Sequence, residues 1–310
     1  MKQEQETLLP LSPDFRCGYA AIVGEPNVGK STLMNGLLGQ KISIVTSKPQ
    51  TTRHKILGIL SNETFQAIFL DTPGIIEPRY ALHTAMMGAA DGALKEADIV
   101  MFMVDAGRPG VDRDSVERRT LERLREAGRP VYLLVNKIDL LDKALLLPLI
   151  GRYAEFFPFR EIIPISAKTR DGFPDIQQTL ARDLPRHPPL YPTDIVSDQQ
   201  ERFFVAEIIR EKIFLECAEE VPYATSVDVV EFKEHEGKKW FISAEIYVER
   251  DSQKGILIGK QGGMLRTIGA RSRKDIEKFL DHPVFLDLHV KVRGKWREDL
   301  QWLRRLGYTP

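Results

Sequence analysis

The run Gly24-Glu25-Pro26-Asn27-Val28-Gly29-Lys30-Ser31-Thr32 constrains this chain more than any other: a glycine, four residues, then Gly-Lys-Ser. It follows Tyr19-Ala20-Ala21-Ile22-Val23, an apolar stretch of strand character. It precedes Thr32-Leu33-Met34-Asn35-Gly36-Leu37-Leu38, whose apolar residues recur at helical spacing. Strand, glycine loop and helix in that order make a phosphate-binding loop. Gly24 and Gly29 lack a Cβ, so successive N–H groups can be turned onto phosphate oxygens, and the following helix adds the positive end of its dipole. Lys30 is expected to reach the β and γ phosphates, and Ser31 to place its hydroxyl on a Mg²⁺ that bridges the same oxygens. The competing reading, a glycine turn that happens to contain Gly-Lys-Ser, loses weight with each motif that follows.

Lys41 to Arg53 is rich in Ser and Thr and contains Lys48-Pro49-Gln50-Thr51-Thr52-Arg53, so it reads as a loop. It stands where a nucleotide-sensing switch would lie, with Thr51 and Thr52 as candidates for a metal ligand and Thr52 preferred. Lys55–Leu60 and Thr64–Leu70 read as a hairpin around Ser61-Asn62-Glu63. Its second strand delivers Asp71-Thr72-Pro73-Gly74-Ile75. Asp71 at a strand end can hold Mg²⁺ through water, and the glycine three residues on lets a backbone N–H meet the γ phosphate.

Ile99–Val104 and Val131–Val135 are continuous apolar runs, the pattern of parallel strands covered on both faces. Between them Ser115–Ala127 reads as a charged helix with Val116, Leu121 and Leu124 inward. The second run ends in Asn136-Lys137-Ile138-Asp139. A carboxylate there accepts from N1–H and the 2-amino group of guanine, donors that adenine lacks in that geometry; such bonds can reject the analogue by about 10⁴-fold. Asn136 and Lys137 would support the loop and cover the base, and the N–H groups of Ser166-Ala167-Lys168 would meet the guanine oxygen. Elements in this order, each at the carboxyl end of a strand, look like a GTPase domain: α/β, with a mixed, mostly parallel six-stranded sheet. In Ras-like GTPases a glutamine after Asp-x-x-Gly orients the attacking water. Here that residue is Ile75, so slow intrinsic turnover is expected unless a partner or ion completes the site. The loop is similar to the Pro-Asn-x-Gly-Lys-Ser loops of some translation-factor-class GTPases, which makes Asn27 the candidate for holding potassium.

Leu184-Pro185-Arg186-His187-Pro188-Pro189-Leu190-Tyr191-Pro192 carries four prolines and little periodicity, so it reads as a stiff, extended connector. The 310 residues are thereby divided into an N-terminal arm (1–17), a GTPase domain (18–184), a linker (185–198) and a second domain with a tail (199–310). Gln199–Cys217 reads as an amphipathic helix with Phe203, Phe204, Ile208, Ile209, Ile213 and Leu215 among charges. Two alternating strands, two helices and a last strand follow. Lys+Arg and Asp+Glu both total 44, yet Lys254, Lys260, Arg266, Arg271, Arg273 and Lys274 form a run with no acidic residue among them. Within it, Gly259-Lys260-Gln261-Gly262 fits the Gly-x-x-Gly loop that clamps a nucleic-acid backbone in KH domains. Ile256 and Ile258 would floor unstacked bases, and Lys254 and Gly255 lead into the loop. RNA, not DNA, is the expected partner.

Pro-Asn-x-Gly-Lys-Ser, Gln-Thr-Thr-Arg, Asp-Thr-Pro-Gly and Asn-Lys-Ile-Asp followed by a Gly-x-x-Gly domain resemble the bacterial Era GTPases. Arg250-Asp251-Ser252-Gln253-Lys254-Gly255-Ile256 and Val292-Arg293-Gly294-Lys295-Trp296-Arg297 extend the resemblance across Gly18–Tyr308. It implies a type II KH domain of α+β class. It also implies binding to the 3′ end of 16S ribosomal RNA, a role in assembling the small (30S) subunit, and peripheral association with the inner membrane. Cys17 and Cys217 stand far apart without metal-ligand spacing, the usage of a cytoplasmic protein. Met1–Asp14 lacks the pattern of a signal peptide, and no apolar run approaches the roughly 20 residues of a membrane span. One rival reading, an enzyme that uses GTP to drive a chemical modification, needs a nucleophile or acid–base cluster in the second half. Cys217, His235, His282 and His289 are scattered there. The other, an RNA binder with a degenerate nucleotide site, is opposed by intact Lys30, Ser31, Asp71 and Asp139.

Overall fold

Strands without a polar face need cover on both sides, and the first half of the chain supplies it. The computed structural model describes residues 14–108 and 115–308, so nearly all of the expected arm lies outside the described residues. Two compact units are present, and neither is contiguous in sequence. The first comprises residues through Lys41, Lys55–Ile75 and Asp91–Asp198; the second comprises Ile42–His54, Ile76–Ala90 and the chain from Gln199 onward.

In the first unit, β1 (Arg16–Gly24), α1 (Lys30–Leu38), β2 (Ile56–Ser61) and β3 (Phe65–Asp71) are followed by α2 (Ala81–Glu96), whose first part belongs to the second unit. Then come β4 (Ile99–Asp105), α3 (Val116–Ala127), β5 (Val131–Asn136), α4 (Lys143–Phe156), β6 (Glu161–Pro164) and α5 (Phe173–Asp183). The sheet order is β2-β3-β1-β4-β5-β6, with only β2 antiparallel. Every residue of β3 and β5 is buried, as two-sided cover demands. Register sets Ile22 beside Asp71, Gly24 beside Met103 and Asp105 beside Asn136, so the carboxyl ends of β1, β3, β4 and β5 gather the polar residues at one edge.

Two expectations need correction in this unit. The inner face of α3 is Glu117, Thr120, Leu121 and Leu124, with Val116 only half-buried. Glu117 is tolerated inside because its carboxylate accepts from the Tyr153 hydroxyl at 2.9 Å; burial pushes its pKa up. The proline stretch is not a free spacer. The Cys17 N–H donates to Pro185 O and the Ile59 N–H to Val196 O, and fully buried Gln66 accepts from the N–H groups of Leu190 and Tyr191 at 2.8 and 3.0 Å. The Gln66 amide nitrogen donates to Tyr191 O at 2.8 Å and to the Ser61 hydroxyl at 3.0 Å.

The second unit is built on α6 (Glu201–Glu216), β7 (Ser226–Lys233), β8 (Trp240–Val248), α7 (Asp251–Ile258), α8 (Gly263–Leu280), β9 (Val284–Val292) and α9 (Leu300–Arg305). β7 and β8 are antiparallel, β8 and β9 parallel, and the helices close over them through Ile209, Ile213, Leu257, Ile268 and Ile276. A satellite core joins Leu82, Met86 and Met87 to Trp296, Leu303 and Tyr308. Helix α6 departs from the amphipathic expectation: Leu215 is 54% exposed, whereas Glu207, Arg210, Glu211 and Lys212 are buried. Residues of the 42–54 loop meet Glu207, Arg210 and Glu211, and Lys212 pairs with Glu211 and with Asp275 of α8.

Gln66→Leu keeps the volume but strands the N–H groups of Leu190 and Tyr191. It should lower unfolding free energy by roughly 2–4 kcal/mol and expose the 185–198 stretch to protease, as urea melts and limited proteolysis would report.

Candidate nucleotide site and nucleic-acid groove

The loop after β1 has the backbone its glycines permit. Gly29 and Asn27 take φ of 108° and 65°, and a Cβ on Gly29 would sit 2.3 Å from the Asn136 amide nitrogen. Lys30 is buried, and its ammonium donates to Gly24 O at 3.0 Å and Glu25 O at 2.9 Å. Burial pulls its pKa down to about 8, against the pull of Asp71 and Glu25. The Ser31 hydroxyl donates to the Asp71 carboxylate at 2.7 Å. Two hard oxygen donors from α1 and β3 thus converge, a set that fits Mg²⁺. The Thr72 hydroxyl instead ties β3 to β1 by donating to Ile22 O at 2.8 Å. A Cβ on Gly74 would lie 2.8 Å from Pro26, so only glycine passes there, and the Ile75 N–H donates to Gly24 O at 3.3 Å.

Asn136 joins the loops at the side where the base is expected. Its amide nitrogen donates to Val28 O at 2.6 Å and its oxygen accepts from the Ala167 N–H at 2.9 Å, joining the phosphate loop to Ser166-Ala167-Lys168. Lys137 is held in the left-handed region at φ 69°, with its ammonium 2.6 Å from Asp105. Asp139 accepts from the Ser166 hydroxyl at 2.7 Å, and the Ile138 N–H donates to Ile165 O. Asp105 and Arg108, which pairs with Glu25, belong to this edge and were not expected. Position at the carboxyl end of β4 is the one signal that points to Asp105.

The 42–54 loop, the expected switch, is anchored within the second unit. Arg53 is fully buried and donates to the carbonyls of Thr225 (2.7 Å), Pro222 (3.0 Å) and Tyr223 (3.0 Å). Arg210 grips Glu207 through two bonds of 2.6 and 2.7 Å and donates to Thr51 O. Burial alone would raise Glu207, but Arg210 holds it ionised below the usual carboxylate range. Lys48 donates to Phe214 O and Cys217 O, the free carbonyls at the end of α6. The Thr51 hydroxyl is bonded to Thr46 and Lys48 O, and Thr52 is buried beside it.

Between α7 and α8, Gly259 takes φ 70°, where a Cβ would strike Met264 at 2.6 Å, and Gln261 and Gly262 take φ 51° and 73°. Lys260 and Gln261 are exposed. Behind the turn, α8 and β9 frame a groove of about 410 Å³ that brings Gly262, Arg266 and Arg273 together with Leu265, Gly269 and Leu288. The last three were not foreseen; the small residue at 269, 3.5 Å short of Leu288 even with a Cβ added, is their only sequence trace. Lys254, Gly255, Ile256, Ile258 and Arg271 do not line this groove. Ile256 is exposed nearby on α7, and Arg271 pairs with Glu216. The rival acid–base centre finds no support: burial pushes the Cys217 thiol up to about 11, His289 is exposed on Asp287, and among the described residues no metal-binding cluster occurs.

Residues 19–137 match the family described as "50S ribosome-binding GTPase", and residues 220–297 the family described as "KH domain". The chain is 49% identical over 297 residues to "GTPase Era" of Geobacter metallireducens, covering 95% of this chain and 98% of that one. It is 47% identical over 294 residues to "GTPase ERA-like, chloroplastic" of Arabidopsis thaliana, covering 94% of this chain and 69% of that one. An Aquifex aeolicus Era variant bound to GDP.AlF4- superposes with a TM-score of 0.91 at 39% identity over 96% of this chain and 100% of that one. Era in complex with MgGDPNP and nucleotides 1506–1542 of 16S ribosomal RNA gives the same score, identity and coverage.

Two outcomes follow from this geometry. Asp139→Asn should turn the preference from GTP to xanthosine triphosphate, by about 10⁴-fold in relative affinity, measured by competition binding. Lys30 of the free protein loses its proton through about pH 8, whereas bound phosphates keep it charged. Nucleotide affinity should therefore be level below pH 8 and fall by up to about tenfold per unit above it, as fluorescent-nucleotide titrations at several pH values would record.

Proposed function

Because the chain belongs to the Era GTPases, we propose that it is a GTP-hydrolysing switch whose nucleotide state sets its affinity for the 3′ end of 16S ribosomal RNA during assembly of the small subunit. The first unit has the P-loop GTPase fold, and the second carries a KH domain in the type II order of helix, two strands, two helices and a strand. We assign the folding domains to 18–184 and 199–310, joined by 185–198. The phosphate loop and Lys30 hold the β and γ phosphates, Asp139 reads N1–H and the 2-amino group of guanine, and the N–H groups of 166–168 face its oxygen. Ser31, Asp71 and, in the GTP state, Thr52 would hold Mg²⁺, which supplies positive charge beside the β and γ phosphate oxygens. Ile75 offers no side-chain donor or acceptor to orient water. Asn27, exposed on the loop with an amide oxygen of the right chemistry, is our candidate to hold potassium in compensation; hydrolysis at equal rates in sodium and potassium buffers would remove that part. Residence in the cytoplasm with peripheral contact to the inner membrane completes the proposal. Among the described residues no helix is long and apolar enough to cross a membrane.

One observation carries the switch reading: segments 42–54 and 76–90, which in sequence flank the hairpin that ends in Asp71-Thr72-Pro73-Gly74, belong to the compact unit that bears the Gly-x-x-Gly turn. Thr52 is bonded in sequence to Arg53. A nucleotide that claims Thr52 therefore competes with the three carbonyls that hold Arg53. RNA affinity measured with GDP and with a non-hydrolysable GTP analogue should differ by about 5- to 150-fold, the usual span of allosteric coupling. Arg53→Met should bring that ratio towards one, while Gly259→Asp with Lys260→Glu should abolish binding in both states. A wild-type ratio retained by Arg53→Met would sink the coupling.

A further inference from the structure

The edge of the first sheet opposite the nucleotide holds a second cavity, of about 650 Å³. Arg129 and Pro130 immediately precede β5, and Phe159 and Arg160 immediately precede β6, whereas Asn136 ends β5 and Lys137–Asp139 and Ser166 follow those strands. A six-residue strand spans about 20 Å, so this cavity and the guanine side stand at opposite ends of the same strands. Its charge is one-sided. Of the lining residues Arg125, Arg129 and Arg160 are basic and Asp183 alone is acidic. Asp183 is already engaged by the Tyr132 hydroxyl (2.8 Å), Arg182 (2.8 Å) and Arg160 (3.3 Å), and the Arg182 bond above all holds its carboxyl well below the usual range. Arg129 is exposed and makes no ion pair or hydrogen bond among the described residues.

The floor is aromatic. Phe157 is buried with its ring centroid 4.9 Å from that of Phe159, and the Arg125 guanidinium lies 5.7 Å from the Phe157 centroid while donating to Phe156 O at 3.0 Å. Arg125 is thus fixed in direction with donors to spare. A guanidinium over a buried ring, beside a half-buried Phe159 and the exposed Arg129, makes a surface for a phosphate and its unstacked base.

From this we infer that the Arg125–Arg129–Arg160 cavity is a second RNA-binding site, taking the phosphate and base of a single-stranded segment of the same ribosomal RNA that the Gly-x-x-Gly groove binds. The inference rests on the RNA-binding reading above. Two contacts on one strand raise avidity without altering either site.

The test uses the full chain with Arg125→Glu and Arg129→Glu together, and two probes: an oligoribonucleotide matching nucleotides 1506–1542, and protein-free 16S ribosomal RNA. GTP hydrolysis and oligonucleotide affinity should stay at wild-type values, because the nucleotide edge and the KH groove are untouched. Affinity for 16S ribosomal RNA should fall by roughly tenfold or more, and the slope of log K against log salt should flatten by about 1.4, the loss of two phosphate contacts on single-stranded RNA. Unchanged affinity and slope on 16S ribosomal RNA would overturn the inference. So would a loss seen only when intact 30S subunits are added as a third probe, which would point to an acidic protein partner. Failure of the wild-type chain to bind the oligonucleotide would instead strike the RNA reading itself.

Discussion

A guanidinium cannot be buried without acceptors fixed in place, and Arg53 meets that condition at its two terminal nitrogens with the carbonyls of Pro222, Tyr223 and Thr225. Each bond to a charged donor contributes about 1.5–3 kcal/mol, and stripping partners from a buried charge costs about 3–5 kcal/mol. The 42–54 loop is therefore no loose strand. Arg210, tied to Glu207 and to Thr51 O, and Lys48, on the carbonyls that end α6, extend the same constraint along it. These bonds order the loop's own backbone and cover the charges of α6. Neither side would be stable inside the protein alone.

That mutual cover also explains what could be read from residues and what could not. Elements with a strong local signal were legible: the apolar runs of β4 and β5, the hairpin of β2 and β3, the glycine loops, and the order of α6 to β9. Their periodicity or turn chemistry is set by neighbours a few positions away. The burial of Glu207, Arg210, Glu211 and Lys212 was not, because charges spaced along a helix look the same whether water or a distant loop covers them. Gln66 and the proline stretch fail for a like reason. A lone glutamine in a strand does not announce that a segment over a hundred residues away will use its amide as a template. At the site, the motif residues were legible and their supports were not: Asp105 under Lys137, and Leu265, Gly269 and Leu288 behind the Gly-x-x-Gly turn.

Parallel strands impose a further division. Their carboxyl ends open toward helix N-termini, which favour anions, so nucleotide chemistry collects at that edge. Asn136 shows how tightly: one side chain ends β5, supports the phosphate loop through Val28 and fixes the guanine segment through Ala167. The amino ends of the same strands carry no such duty, and surplus arginines can stand there without disturbing it.

Burial of Lys30 shows that this chain accepts an energetic cost where the ligand will repay it. An ammonium with its pKa drawn down to about 8 is poorly solvated by the protein, since two loop carbonyls replace water but carry no net charge. A bound anion would supply that charge and so strengthen an interaction the fold leaves incomplete. The same logic runs in reverse at Arg53, whose neutral acceptors lie in the unit that bears the KH turn. There three carbonyls already surround the guanidinium, where only two meet the Lys30 ammonium.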